Sequence, residues 1–191
     1  DWSSDVCSSD LNMYGIIALF DDQLNKRILK LWQELKDESI SSYAFEVSDR
    51  NPHITIASYS KLDIKSFVDR LDSYLADKKS IEITFPSIGS FTGSGTLFYT
   101  PVITEDLFHF HNDFHTYFKD FNDAQSLYNP GQWIPHCTIA NGLSNEKLLE
   151  AFLYCTTQAQ NIKGYIKEIA VIDTSIPTQA PVIFSKKLKS I

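Results

Sequence analysis

Apolar positions along this chain come in two alternating forms, short unbroken runs and stripes at helical spacing. Tyr14 to Phe20 is a run rich in Ile and Phe, as a buried strand requires. From Asp22, the residues Leu24, Ile28, Leu31, Trp32 and Leu35 recur every three or four positions with Lys, Gln and Asp between them, which predicts an amphipathic helix to about Glu38. His53 to Tyr59 reads as a second strand, entered through Pro52, which biases Asn51 away from helix. Asp63 is a candidate N-cap for a helix whose stripe is Ile64, Phe67, Val68, Leu71, Tyr74 and Leu75. Ile81 to Phe91 and Leu97 to Ile103 are strand candidates around Gly93-Ser94-Gly95, a hairpin-turn composition. A helix from about Glu105 to Phe121, a loop rich in Asn, Pro and Gly, a strand at His136 to Ala140, a helix from about Ser144, and strands near Ile162 to Asp173 and Val182 to Leu188 complete the chain.

The second half repeats the order of the first. An offset of 83 positions carries His53 to His136, Asp22 to Glu105, Asp63 to Glu146, and the strand at Tyr14 onto the strand at Leu97. The likeness is greatest where Asn51-Pro52-His53-Ile54-Thr55-Ile56-Ala57 meets Ile134-Pro135-His136-Cys137-Thr138-Ile139-Ala140. The expected fold is therefore α+β: two internally duplicated lobes related by a pseudo-twofold axis, antiparallel sheets flanked by helices, and a central cleft where equivalent strands face each other. The chain is expected to be one compact domain over residues 13–191, since 191 residues are too few for two ordinary independent domains.

Composition narrows the partners. A formal net charge of -7 and a pI near 5.1 argue against a protein that coats long nucleic acid, whose affinity comes from clustered Lys and Arg. A small or terminal phosphate is still open to it. No apolar run is long enough to span a bilayer, so no membrane partner is expected. Cys7, Cys137 and Cys155 have no Cys-x-x-Cys spacing, which suggests neither a disulfide framework nor a zinc ribbon and makes the cytoplasm the expected compartment. A monomer is expected. Residues 1 to 12, DWSSDVCSSDLN, share no periodicity with the rest of the chain and read as a non-native scar, with the native chain starting at Met13.

Period two puts His53 and Thr55 on one face of their strand, with Ile54 and Ile56 on the other, and does the same for His136 and Thr138 against Cys137 and Ile139. Polar pairs on otherwise apolar strands need partners, and a shared anion would supply them. Phosphodiester hydrolysis needs one proton removed from water and one given to the leaving oxygen, and imidazole can do either near neutral pH. Threonine hydroxyls can donate to the non-bridging oxygens. This set needs no metal and no cofactor.

The tetrads His53-Ile54-Thr55-Ile56 and His136-Cys137-Thr138-Ile139, widely separated in a duplicated chain, resemble the signature of the 2H phosphoesterase superfamily, the group containing bacterial RNA 2',3'-cyclic phosphodiesterases also called 2'-5' RNA ligases. The resemblance covers Met13 to the C-terminus. It implies opening of 2',3'-cyclic phosphates, or action on 2'-5' linkages of nucleotides or RNA ends, with His136 as base for water, His53 as acid for the leaving oxygen, and Thr55 and Thr138 on the phosphate. The ligase direction of the same chemistry and a non-catalytic nucleotide- or phosphate-binding module are the alternatives.

Weaker signals surround this pair. His111 and His115 share a face of the third helix but have no evident third ligand, so boundary packing and solvent contact are expected of them rather than a metal. Trp133 and Tyr128, in the loop before the second motif, are candidates for stacking on a base. Arg50 and Lys61 flank the first motif and could contact phosphate, while Cys137 points into the core.

Overall fold

The structure, a computed structural model, describes residues 14–158 and 162–191. The segment 1–12 and its Cys7 lie outside the described residues. Two antiparallel sheets carry the fold. In the first, β1 (Tyr14–Phe20) lies between β2 (His53–Tyr59) and β7 (Ile162–Asp173), and the far edge of β7 pairs with β3 (Ile81–Phe85) and β8 (Val182–Lys187). The second has the order β4 (Ser87–Ser90), β5 (Leu97–Thr100), β6 (Cys137–Ala140). Among the described residues both motif strands, β2 and β6, are edge strands.

The helices are α1 (Asp22–Asp37), α2 (Ile64–Leu75), α3 (Glu105–Tyr117) and α4 (Asn145–Gln158). The predicted α1 stripe, Leu24, Ile28, Leu31, Trp32 and Leu35, is buried; on α2 Phe67, Leu71 and Leu75 are buried and Ile64, Val68 and Tyr74 half-buried; α3 buries Leu107, Phe110 and Phe114. Asp21 caps α1 by accepting from the Gln23 and Leu24 amides at 2.9 and 3.0 Å. These stripes and the inner sheet faces form one apolar core that joins Ile54 and Ile56 of the first sheet to Cys137 and Ile139 of the second. Ile17, Ala170 and Ile172 make a smaller cluster apart from it.

Three expected boundaries shift by more than one residue, and the second motif strand begins at Cys137 rather than His136. The strand expected over Ile81 to Phe91 is two strands in two sheets, because Pro86 between them cannot donate to a ladder and marks the switch. The next strand stops at Thr100, before Pro101, and the third helix ends at Tyr117, followed by a 3-10 turn over Lys119–Phe121.

The duplication is visible in the ladders, and it corrects the single offset of 83. In the first sheet Ile16 pairs with Ala57 and Ile17 with Thr55, so Ile56 is an extra residue, a bulge. In the second, Leu97 pairs with Ala140 and Phe98 with Thr138, leaving Ile139 extra. The motif strands correspond at 83 positions, whereas their ladder partners correspond at 81, with Ile16 matching Leu97 and Ile17 matching Phe98. The second and fourth helices also correspond at 81: Asp63 caps α2 through the Ser66 amide, and Ser144, not Glu146, takes the equivalent place by accepting from the Lys147 amide at the start of α4. A two-residue difference in the connections reconciles the two values.

Candidate active site

Local sequence sets the motif strands first. Pro52 and Pro135 are buried, and from them onward the two stretches share one burial pattern: half-buried His, buried Ile54 or Cys137, half-buried Thr, buried Ile, buried Ala. Directly paired residues on neighbouring strands project from the same face, so Thr55 stands beside Ile17 and Thr138 beside Phe98. The strands meet through their cores. The His53 backbone amide is near enough to the Cys137 thiol to offset part of its burial, and the His136 charge is near enough to disfavour protonation of His53.

The imidazoles are held alike. His53 Nδ1 lies 2.6 Å from the Asn51 carbonyl oxygen, and His136 Nδ1 lies 2.7 Å from that of Ile134. A carbonyl can only accept, so in each ring Nδ1 carries the hydrogen and Nε2 keeps its lone pair when the ring is neutral. Burial pushes the His53 pKa down to about 4, only partly offset by the Asn51 carbonyl, with the charges of His136 and Arg50 adding to the drop. His136 is also lowered, again mainly by burial. The Thr55 and Thr138 hydroxyls make no hydrogen bond to another described residue.

The surroundings of the two histidines differ. Beside His53 opens a cleft of about 220 Å³, with Ile17, Ile172, Ile176 and Pro177 as apolar wall and Arg50, Asn51, Thr174 and Gln179 as polar wall. Arg50 is fixed there, donating to the Tyr43 carbonyl at 2.8 Å with its guanidinium 3.7 Å from the Tyr43 ring centre. His136 instead lies against Phe91 and Phe98, with ring centres 5.0 and 5.2 Å away.

Other expected residues take different places. Trp133 donates its indole N–H to the Thr55 carbonyl at 2.9 Å and stacks on His111, 3.8 Å between ring centres and 2° between planes. One face of Trp133 is thus occupied, and neither it nor Tyr128 lines the cleft beside His53. His111 is 2% exposed, so the solvent contact expected of it is wrong, and its Nε2 donates to the Tyr128 carbonyl at 2.8 Å. His115 Nε2 donates to the Ile56 carbonyl at 3.1 Å. No group of three or more potential metal ligands occurs among the described residues. Cys137 is fully buried, and burial raises its thiol pKa to about 12, which removes it as a nucleophile. Thr174 and Gln179 escaped sequence reasoning because they sit in the loop between β7 and β8, with no motif around them.

No helix among the described residues is long and apolar enough to cross a membrane. The sequence matches the 2'-5' RNA ligase superfamily over residues 20–175. It is 25% identical over 148 residues to a Staphylococcus aureus (strain Newman) protein named "Putative phosphoesterase", a match that spans 75% of this chain and 83% of that protein. Among solved structures, the fold is similar to E. coli LigT complexed with 3'-AMP (TM-score 0.61, 12% identity, 94% of this chain and 99% of that one). It is also similar to TT0787 of Thermus thermophilus (TM-score 0.64, 9% identity, 93% and 98%). The duplicated sheets, the matched motif strands and the sequence match over most of its length make this chain a member of the 2'-5' RNA ligase superfamily.

Proposed function

We propose that this protein is a metal-independent phosphodiesterase that opens 2',3'-cyclic phosphates or cleaves 2'-5' linkages of nucleotides or RNA ends. The observation that carries the reading is the matched pair of imidazoles, each tied through Nδ1 to the carbonyl two residues before it, with Nε2 left to exchange a proton. Two threonine hydroxyls without a hydrogen-bond partner among the described residues, one on each motif strand, suit the non-bridging oxygens. The membership of the superfamily and the likeness to LigT, whose structure holds 3'-AMP, support a nucleotide substrate.

In this reading water attacks phosphorus and gives its proton to His136 Nε2, while the bond from phosphorus to the ribose oxygen breaks and that oxygen takes a proton from His53 Nε2. The cleft beside His53 supports this division of roles, since its mixed apolar and polar walls suit the nucleoside that carries the leaving oxygen. With both imidazole pKa values lowered, the two rings are largely neutral at pH 7 before substrate binds. The anionic phosphate favours the proton that His53 must hold. A compact terminal phosphate also fits the acidic chain better than long RNA does. Purified protein is expected to open 2',3'-cyclic nucleotides in EDTA, and His53→Ala or His136→Ala to reduce turnover by at least about 1000-fold. Wild-type turnover in both variants would overturn the mechanism.

A further inference from the structure

Each motif strand is an edge strand with a bulge directly after its threonine, so backbone carbonyls there lack ladder partners and must find others. The partners are ring N–H groups brought from the opposite half of the chain. Trp133, three residues before the second motif, donates to the carbonyl of Thr55 in the first. His115 on α3 donates to the carbonyl of Ile56, the extra residue of that bulge. Trp32 on α1 donates to the carbonyl of Thr138 in the second motif at 3.3 Å. Trp32 and His115 stand 83 positions apart, as the two motif histidines do, so each half carries a crossed donor at this place, although the residue type differs and His115 holds the carbonyl one residue past the threonine.

The loop before the second motif makes the same crossing. The segment leading to Trp133 is tied along β2, with the Ser60 amide donating to Asp123 at 3.0 Å and the buried Ser58 and Ser126 hydroxyls 3.0 Å apart. His111 completes this brace by stacking on Trp133 and donating to the Tyr128 carbonyl.

Resting on the function proposed above, we infer that Trp133, His115 and Trp32 are positioning residues: by holding the bulged carbonyls of the opposite motif, they fix the placement of each His-x-Thr pair relative to the other. A displaced motif strand moves its imidazole and hydroxyl together, and misplacement by about 1 Å can cost on the order of 100-fold in rate.

The test compares kcat and KM on a 2',3'-cyclic nucleotide for Trp133→Phe and His115→Leu, which remove the ring N–H donor and leave an apolar side chain in its place. His115→Gln restores an N–H donor, and Leu71→Ala, in the α2 stripe and outside both motifs, controls for lost stability. Expected are falls in kcat of about 10- to 100-fold with KM within about twofold for the first two. His115→Gln should recover most of the rate, and Leu71→Ala should melt earlier with kcat unchanged. Rates within about twofold of wild type in Trp133→Phe and His115→Leu, or an equal loss in Leu71→Ala, overturn the inference. Nitrogen-15 NMR of the histidine rings tests it without turnover: inorganic phosphate should shift His53 and His136 together in wild-type protein and unequally in Trp133→Phe. If wild-type protein opens no diester, the proposed function fails, yet an unaltered NMR response in Trp133→Phe is still what overturns the brace.

Discussion

At the scale of single residues, the proposed mechanism depends on ring nitrogens whose roles are set by backbone carbonyls. The hydrogen-bonded Nδ1 of each motif histidine leaves Nε2 as the one nitrogen able to act, so the proton inventory decides the pH dependence. The proposed mechanism needs one imidazole protonated and the other neutral, and that population peaks between the two pKa values. Both lie below the ordinary histidine value of 6.5, so kcat/KM is expected to peak on the acid side of pH 6.5. The optimum for kcat should sit higher, because bound phosphate favours the charged ring. Rate profiles across about pH 4 to 9 check this, and a kcat/KM optimum above about pH 7 contradicts it. Thr55→Val and Thr138→Val keep the shape of the side chain and remove only the hydroxyl. Each is expected to lower kcat by about 10- to 100-fold while the melting temperature barely moves, since neither hydroxyl bonds a described residue.

At the scale of elements, periodicity located the stripes of α1 and α2 and nearly every strand, while two strand boundaries followed prolines. Pro86 turned one expected strand into two that serve different sheets, which the apolar run Ile81 to Phe91 could not reveal because both pieces are apolar. The glycines near the hairpin have separate reasons. Gly93 has φ of 73°, as the turn requires, whereas Gly95 lies where a Cβ would come within 2.2 Å of the Leu143 carbonyl oxygen. Leu143 in turn donates its amide to the Gly95 carbonyl at 3.1 Å, so the hairpin loop and the segment between β6 and α4 touch backbone to backbone. Gly95→Ala must push them apart and is expected to destabilise the protein by about 1–3 kcal/mol, read from denaturant unfolding. An unchanged unfolding midpoint would show that the contact yields without cost.

At the scale of the whole molecule, the third helix links the core to the site, and its buried histidine ties stability to pH. Burial holds the His111 pKa down to about 4, aided by the neighbouring His115, against about 6.5 in the unfolded chain. The folded state therefore binds this proton less readily than the unfolded one. The stability from His111 is complete above about pH 6.5 and is lost as pH falls through about 4, on the order of 3 kcal/mol at the limit. His53 contributes in the same direction. His111→Gln retains an N–H for the Tyr128 carbonyl without titrating, and is expected to flatten the decline of melting temperature between about pH 6.5 and 4. An unaltered slope would assign the acid sensitivity to other groups.

The sequence by itself determined the parts that local rules govern: the apolar stripes, the α+β class, the duplication, and four polar side chains paired by period two on two strands. It could also identify His53, Thr55, His136 and Thr138 as the residues to test, because a repeated polar pattern on apolar strands has few other physical explanations. Only the tertiary structure decided what depends on contacts between distant segments. The shared bulge shows only in cross-strand pairing, since one extra residue leaves the pattern of side chains along the strand almost unaltered. The crossed donors Trp32, Trp133 and His115 join residues 59 to 106 positions apart; in the sequence Trp32 and His115 look like ordinary core or boundary residues, and Trp133 reads as a candidate for stacking on a base. The cleft beside His53 borrows Thr174 and Gln179 from a loop far along the chain, and no local preference of those residues says which strand end they will meet.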